Sequence, residues 1–143
     1  LRRGTDLLVA TPGRLLDLID QRAFAAQIAE TARRTKHPRV LIFVHGFNNR
    51  FDDSVYRFAQ IVHDSKAEAV PILFTWPSRG SIELKSYTYD RESANFSRDA
   101  LEGLIDQIAA YPHIKEIQLL AHSMGSHVTL EALRGRSMRR PSR

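Results

Sequence analysis

Three short runs of mostly apolar residues recur along the chain, each bounded by polar or turn-forming residues. They cover residues 39–44, 70–75 and 116–120. An apolar run of this length without a helical period is typical of a strand in the interior of a parallel sheet. The sequence therefore predicts a parallel sheet of at least three strands.

Helical spacing fills the intervals between these runs. Apolar positions three and four residues apart follow Asp52 and Asp53, either of which can cap a helix, and a second amphipathic pattern follows Ser93. A helix-forming run at 128–133 comes after the third strand. The polar stretch that ends near Arg91 predicts a long loop. Strands that alternate with helices predict an α/β fold, with right-handed crossovers and helices flanking the sheet.

Weaker patterns predict the structure of the N-terminal part of the chain. Residues 6–10 predict a short strand, and Pro12 suits the first turn of a helix that continues to Ile19. An alanine-rich stretch at 24–35 predicts a further helix that would cover the sheet.

Composition is that of a soluble globular protein and excludes several kinds of site. The 143 residues, 43% of them hydrophobic, suffice for one domain with a core. The lack of cysteine excludes disulfides, thiolate metal sites and cysteine nucleophiles, and it fits a reducing, cytoplasmic location. No apolar run approaches the ~20 residues of a membrane span, and no secretory signal is visible, so we expect no membrane association.

The net charge of +5 is unevenly distributed. Residues 1–39 hold eight basic and four acidic residues, and the last ten hold five arginines and no acid. Residues 40–133 hold eight basic and twelve acidic residues. Because the positive charge lies at the two ends, we interpret it as solvated and expect nucleic-acid binding to be weak and non-specific.

The most informative motif lies where the third strand ends. Residues 119–125 read Leu-Leu-Ala-His-Ser-Met-Gly, a strand that runs into a small-x-Ser-x-small turn. This is the pattern of a nucleophile elbow, which lifts a serine hydroxyl, here that of Ser123, to the top of a parallel sheet. The flanking positions must be small because backbone passes close to both. They are Ala121, where glycine is usual, and Gly125.

Four motifs in one order resemble a bacterial family of α/β-hydrolase-fold proteins of poorly defined function. They are Val-His-Gly-Phe-Asn at 44–48, Phe-Thr-Trp-Pro-Ser-Arg-Gly at 74–80, Tyr-Asp-Arg-Glu-Ser-Ala-Asn at 89–95 and Ala-His-Ser-Met-Gly at 121–125. The resemblance implies an incomplete α/β-hydrolase fold with the 39–44 strand between the other two. It also implies serine-dependent hydrolysis of an ester or acyl bond without a cofactor. The 116–120 strand would lie at an edge, and an uncovered apolar edge favours self-association.

The resemblance also implies roles for single residues. In such a hydrolase the serine attacks a carbonyl carbon, a histidine accepts its proton and an acid orients the histidine. Ser123 would be the nucleophile, with the backbone N–H groups of Phe47 and Met124 as oxyanion donors. The residues expected to support the two turns are His45, Gly46, Ala121, His122 and Gly125.

The triad is incomplete in this sequence. After Ser123 the histidine is His127 and the carboxylate is Glu131, both within the helix that follows the serine. That helix carries His127 away from the substrate mouth, so we interpret it as an exposed helix residue rather than a base. We therefore expect the chain to be inactive as an esterase.

Trp76 and Arg79 follow the C-terminal end of a strand, where α/β sheets place binding loops. Arg79 could bind an acidic group of the substrate. In the alternative interpretation, Trp76 packs under the long loop and Arg79 pairs with Asp90 or Glu92.

The remaining histidines suggest structural or surface positions. His122 is expected to pack within the elbow and His45 to hydrogen-bond within its own loop. No histidine pair shares metal-ligand spacing with a nearby carboxylate, so no metal site is predicted. The histidines expected at the surface are His37, His63 and His113.

The first 22 residues carry a second resemblance. Leu-Arg-Arg-Gly at 1–4 and Leu-Val-Ala-Thr-Pro-Gly-Arg-Leu-Leu-Asp at 8–17 are similar to a segment of DEAD-box RNA helicases, whose Thr-Pro-Gly-Arg turn contacts nucleic-acid backbone. The phosphate-binding loop and the Asp-Glu-Ala-Asp box have no counterpart, so no helicase activity is expected. The two resemblances predict a chimera, with a helicase-like segment at 1–24, a partial hydrolase domain at 25–134 and a basic tail at 135–143.

The sequence thus predicts a serine hydrolase-like domain for a small ester or acyl substrate. Two other functions stay open: a non-catalytic α/β binding or structural module, and a nucleic-acid-binding remnant of the helicase segment.

Overall fold

The computed structural model describes residues 7–11, 21–46, 49–66, 68–77 and 84–139, with the backbone alone at 21, 23–24 and 84–91. Strands and helices alternate along this part of the chain. In chain order they are β1 (Leu8–Ala10), α1 (Gln21–Arg34), β2 (Arg39–Val44), α2 (Phe51–Ser65), β3 (Ala69–Phe74), α3 (Leu84–Ala109), β4 (Glu116–Ala121) and α4 (Met124–Arg139).

The described strands form one parallel sheet in the order β1-β3-β2-β4. In β2, Ile42 lies opposite Ile72 of β3 and Leu119 of β4. This arrangement confirms the predicted α/β class and places the 39–44 strand between the other two predicted strands. The strand β4 forms one edge of the described sheet, and its residues are correspondingly less buried than those of β2 and β3.

One face of the sheet packs against α1, α3 and α4. Strand residues such as Val40, Ile42 and Val44 point into this core, where they are fully buried. The predicted amphipathic pattern after Ser93 is confirmed, since Leu101, Leu104, Ile105 and Ile108 are all buried here. The helix residues of this core include Ile28, Leu101, Leu104, Ile105, Ile108, Val128 and Ala132.

The opposite face packs against α2. Leu41 and Phe43 of β2 contact Phe58 and Val62 of that helix, and the rings of Phe43 and Phe58 stack with centroids 5.3 Å apart. The sheet therefore lies between two helical layers, which is why β2 and β3 are buried on both faces.

The start of α2 differs from the predicted cap. The N-cap is Arg50, whose carbonyl accepts hydrogen bonds from the amide and the hydroxyl of Ser54. Asp52 and Asp53 lie within the first turn, where their charges complement the helix dipole without capping it. The predicted Asp cap was wrong because charge in the first turn and a capping side chain give similar sequence signals.

The predicted long loop before Ser93 was also wrong over its second half. The helix α3 begins at Leu84 and continues without a break to Ala109. The sequence has neither glycine nor proline from Leu84 to Glu102. Once the buried part of α3 has formed, extending it costs little per residue, so a helix can continue through a stretch without an apolar face.

The predicted N-terminal strand is present as β1. Leu8, Val9 and Ala10 pair with β3, and the carbonyl of Ala10 accepts a 2.8 Å hydrogen bond from the amide of Thr75. Part of the segment predicted to be helicase-like is thus a strand of the sheet, while the helix predicted from Pro12 lies outside the described residues. Within the described part of the chain, no helix is both long and apolar enough to cross a membrane.

Candidate active site

The turn between β4 and α4 consists of His122 and Ser123. Ser123 has a φ of 54°, in the left-handed region, which costs a residue with a Cβ about 1–2 kcal/mol. The amide of Gly125 donates a 2.9 Å hydrogen bond to the carbonyl of His122 and closes the turn. Backbone strain of this kind persists only where the surrounding structure enforces it, and it is frequent at functional sites.

Two glycines enforce the turn by close backbone contact. A Cβ on Gly125 would lie 2.4 Å from the carbonyl oxygens of both Val44 and His45. A Cβ on Gly46 would lie 2.9 Å from the Cβ of Ser123. Neither position has room for a methyl group, so the loop after β2 lies directly against the elbow. This is the physical reason for the small residue two positions after the serine.

His45 is buried and holds two loops together. Its ring stacks on the indole of Trp76 with centroids 5.0 Å apart and an interplanar angle of 5°. The amide of Trp76 donates to His45 Nε2 at 3.2 Å, and the indole Nε1–H donates to the His45 carbonyl at 2.9 Å. Because Nε2 accepts, Nδ1 carries the proton, and it donates to the carbonyl of Gly46 at 3.0 Å.

The expected bond of His45 within its own loop is therefore present, but sequence analysis missed its second partner. His45 and Trp76 are 31 residues apart and share no local pattern. Trp76 itself is 3% exposed and packs in the core. The predicted positions Phe47 and Arg79 lie outside the described residues.

The elbow exposes its serine. Ser123 and His122 are exposed, whereas Ala121 and Met124 are partly buried against the core. Ala121 pairs with Val44 of β2, and the methyl group in place of glycine is accommodated there. No hydrogen bond joins the Ser123 hydroxyl to any described residue. The His122 ring is exposed, but its Nδ1 lies against the loop after β2, since a Cβ on Gly46 would come within 2.7 Å of it.

His127 and Glu131 do not complete a triad in the described structure. His127 is exposed, and its Nε2 bonds to Asn95 Oδ1 of α3 at 3.2 Å. The carboxylate of Glu131 lies 3.8 Å from Arg134, one turn along the same helix. The interpretation of His127 as an exposed helix residue is confirmed. Its hydrogen-bond partner, Asn95, could not be predicted from the sequence.

Two ion pairs join the other end of α4 to α3, and together they form the α3–α4 seam. Arg136 Nε lies 2.8 Å from Asp106 Oδ1, and Arg139 Nε donates to Glu102 Oε1 at 2.8 Å. The carboxylate of Glu102 is buried, and its hydrogen bond and charge raise the pKa of the Arg139 guanidinium. These arginines belong to the stretch predicted as a solvated basic end, and α4 instead continues through Arg139.

Other features of the described residues do not contribute to the candidate site at the elbow. Beside the seam lies a groove of about 430 Å³ lined mostly by charged side chains of α3 and α4, and also by Gly135 and Met138. The described residues contain no group of three or more histidine, aspartate or glutamate side chains that could hold a metal ion. The histidines predicted at the surface, which are His37, His63 and His113, are all exposed.

Comparison with known proteins agrees with this architecture. A family model described as an alpha/beta hydrolase of unknown function (DUF900) matches residues 20–142. The match spans most of the chain, and the chain therefore belongs to this alpha/beta hydrolase family. Neither a curated protein nor a solved structure gives a significant match. The helicase-like resemblance of the first residues and the chimeric origin stay predictions.

Proposed function

We propose that Ser123 is the nucleophile of a serine hydrolase-type site that acts on an ester or a similar acyl bond. The observation that carries this proposal is the φ of 54° at Ser123, enforced by Gly46 and Gly125. Lys66 also has a positive φ, of 50°, but it ends α2 as its C-cap, whereas Ser123 stands before the start of α4, where no C-cap is needed. The strain has a use where the serine hydroxyl must stand above the sheet.

The proposed reaction begins with attack of Ser123 Oγ on the carbonyl carbon. The carbonyl oxygen becomes an oxyanion, which the N–H groups of Phe47 and Met124 would bind. Met124 is the first residue of α4, so its N–H has no carbonyl partner within the helix and lies at the positive end of the helix dipole. The alcohol then leaves, and an acyl-serine remains.

Proton transfer is the weak step in this chain. A serine hydroxyl needs a general base, and no described histidine or carboxylate hydrogen-bonds to Ser123. Nucleophile and oxyanion donors without a base retain a residual acceleration of roughly 10³–10⁴ over water. We therefore expect slow acylation of Ser123 and an acyl-serine that persists, because its hydrolysis also needs a base.

Mass spectrometry after incubation with p-nitrophenyl acetate tests the proposal. We expect one acetyl group on the peptide that contains Ser123, and steady-state release of p-nitrophenolate that stays at background. The label should be lost in Ser123→Ala and kept in the control Ser126→Ala, which alters a serine in the first turn of α4. Equal labelling of all three proteins would favour a non-catalytic α/β module. Rapid turnover that Ser123→Ala abolishes would show that the chain contains a working base.

A further inference from the structure

We infer that Asn95 and His127 form a subsite that binds an amide group on the acyl part of the substrate. This inference rests on the proposed function of Ser123 and gives it a substrate class, which is an ester with an amide a few bonds away from the reacting carbonyl. It starts from the 3.2 Å hydrogen bond between His127 Nε2 and Asn95 Oδ1, which joins α4 to α3 beside the elbow.

This bond leaves one donor group and one acceptor exposed. The Oδ1 atom of Asn95 can only accept, so His127 Nε2 donates, and Nδ1 of the neutral ring is an acceptor. The Nδ2 group of Asn95 keeps its N–H donors. Both side chains are exposed, and neither Nδ1 nor Nδ2 has a hydrogen-bond partner among the described residues. An amide between them can accept from Nδ2 and donate to Nδ1, since its C=O and N–H point in opposite directions.

The pair lies at the bottom of a crevice beside the serine. The helices α3 and α4 run side by side in the same direction, because Asn95 bonds to His127 near their starts and Asp106 pairs with Arg136 further along. Since α3 begins eleven residues before Asn95 and α4 begins three residues before His127, α3 projects past the start of α4. At 1.5 Å per residue this overhang is about 12 Å long. It forms one wall of the crevice, and the elbow forms the other.

The reach from the serine to the pair suits a short acyl group. Ser123 precedes His127 by four residues, which is about 6 Å along the helix axis. The neighbouring described side chains are polar as well, since Glu92 of α3 and His122 of the elbow are both exposed. An aliphatic chain would find no apolar partner among these side chains, whereas an amide would gain the two hydrogen bonds that fix its orientation.

Two esters test this preference. The p-nitrophenyl esters of N-acetyl-β-alanine and of hexanoic acid have acyl chains of the same length, and only the first contains an amide. The rate of Ser123 acylation is measured for each by mass spectrometry and divided by the rate of hydrolysis without protein. We expect the ratio of the two rates to favour the amide by about tenfold, as one or two net hydrogen bonds would.

The variant Asn95→Asp separates substrate binding from support of the fold. Its carboxylate still accepts from His127, so the link between the helices is kept, but the Nδ2 donors are lost. We expect the ratio to fall to about one. A merely structural Asn95 would leave the ratio unchanged, because a less stable fold slows both esters equally. The control is Gln60→Glu, which adds the same charge at an exposed position of α2, on the opposite face of the sheet, and should keep the ratio.

NMR spectroscopy measures binding without any reaction. The side-chain N–H signals of Asn95 in the unaltered chain are identified by their loss in Asn95→Asp. They are then followed during titration with the slowly reacting ethyl esters of the same two acids. We expect these signals to shift with ethyl N-acetyl-β-alaninate and to stay in place with ethyl hexanoate.

The outcomes are distinct. A preference for the amide that Asn95→Asp removes would support the inference. Equal normalised rates for the two esters, or the same preference in Asn95→Asp, would overturn it. If neither ester acylates Ser123 but the Asn95 signals shift with the amide-bearing ester alone, the proposed function fails and the subsite stands. If the signals also stay in place, both fail.

Discussion

The two ends of α4 are held by different kinds of contact. At its start, the elbow is fixed by backbone atoms, with Gly125 so close to Val44 and His45 that a methyl group has no space. At its end, the α3–α4 seam is fixed by long side chains, in which Arg136 and Arg139 reach the carboxylates of α3. The start of α4 cannot move without disturbing backbone atoms, whereas the side chains at its end can rearrange.

This difference means that α4 is positioned accurately at its start, whereas its end tolerates changes in the side chains. Backbone contacts position a reacting atom closely, because they leave no rotamers to choose from. Side-chain ion pairs near the surface contribute less, since they lose entropy and are screened by solvent. We therefore expect small changes at the elbow to have larger effects than large changes at the seam.

The largest loss of stability should come from alanine at Gly125, the glycine of α4 that lies at the elbow. Gly125→Ala places a Cβ 2.4 Å from two backbone oxygens, so the strand or the helix must move. Overpacking of this kind costs about 1–3 kcal/mol or more, and the free energy of unfolding from urea titration should fall at least that far.

The control is Gly135→Ala in the seam. Its Cβ would lie 2.9 Å from Glu102 Oε2, the end of a side chain that can turn aside. Alanine also favours the helix by about 1 kcal/mol over glycine, so the net change should be small. Similar losses of unfolding free energy in Gly125→Ala and Gly135→Ala would contradict the contrast between the two ends of α4.

A smaller change in stability, of opposite sign, is expected for Ser123→Gly. Ser123→Gly removes the Cβ that makes a φ of 54° unfavourable, whereas Ser123→Ala keeps it. The glycine variant should therefore be more stable than the alanine variant by about 1 kcal/mol. Equal unfolding free energies would mean that the elbow is not strained in solution.

The smallest effect should appear at the seam. Arg139→Gln leaves the buried carboxylate of Glu102 without its cation and should lower the melting temperature by a few degrees. Arg134→Gln is the control, because its partner Glu131 is 3.8 Å away and both side chains are partly exposed. Differential scanning calorimetry that finds the two variants equal would show that the seam does not stabilise the fold.

The sequence predicted the elements that have strong local signals. The strands 39–44 and 70–75 were recognised because burial on both faces demands continuous apolar runs. The amphipathic half of α3 carries a strong signal for the same kind of reason, whereas the pattern of its polar first half, from Leu84, predicts a loop. Helix propagation from a buried segment leaves no apolar period in the sequence.

The site shows the same division between local and distant signals. The elbow is contained in five consecutive residues, 121–125, and its glycine requirement could be deduced from spacing. The contacts between His45 and Trp76 could not be deduced in this way, because the parallel pairing of β2 and β3 is what brings these two residues together. Likewise, the bond between His127 and Asn95 depends on how α3 and α4 pack, which no local pattern encodes.

The most direct test of the central claim is a crystal structure of the chain after reaction with a p-nitrophenyl alkylphosphonate, a stable mimic of the tetrahedral intermediate. We expect a covalent bond from Ser123 Oγ to phosphorus. We also expect a phosphoryl oxygen about 2.7–3.1 Å from the amide nitrogens of Phe47 and Met124. Phosphonylation at another residue, or an adduct on Ser123 whose phosphoryl oxygen points into solvent, would contradict it.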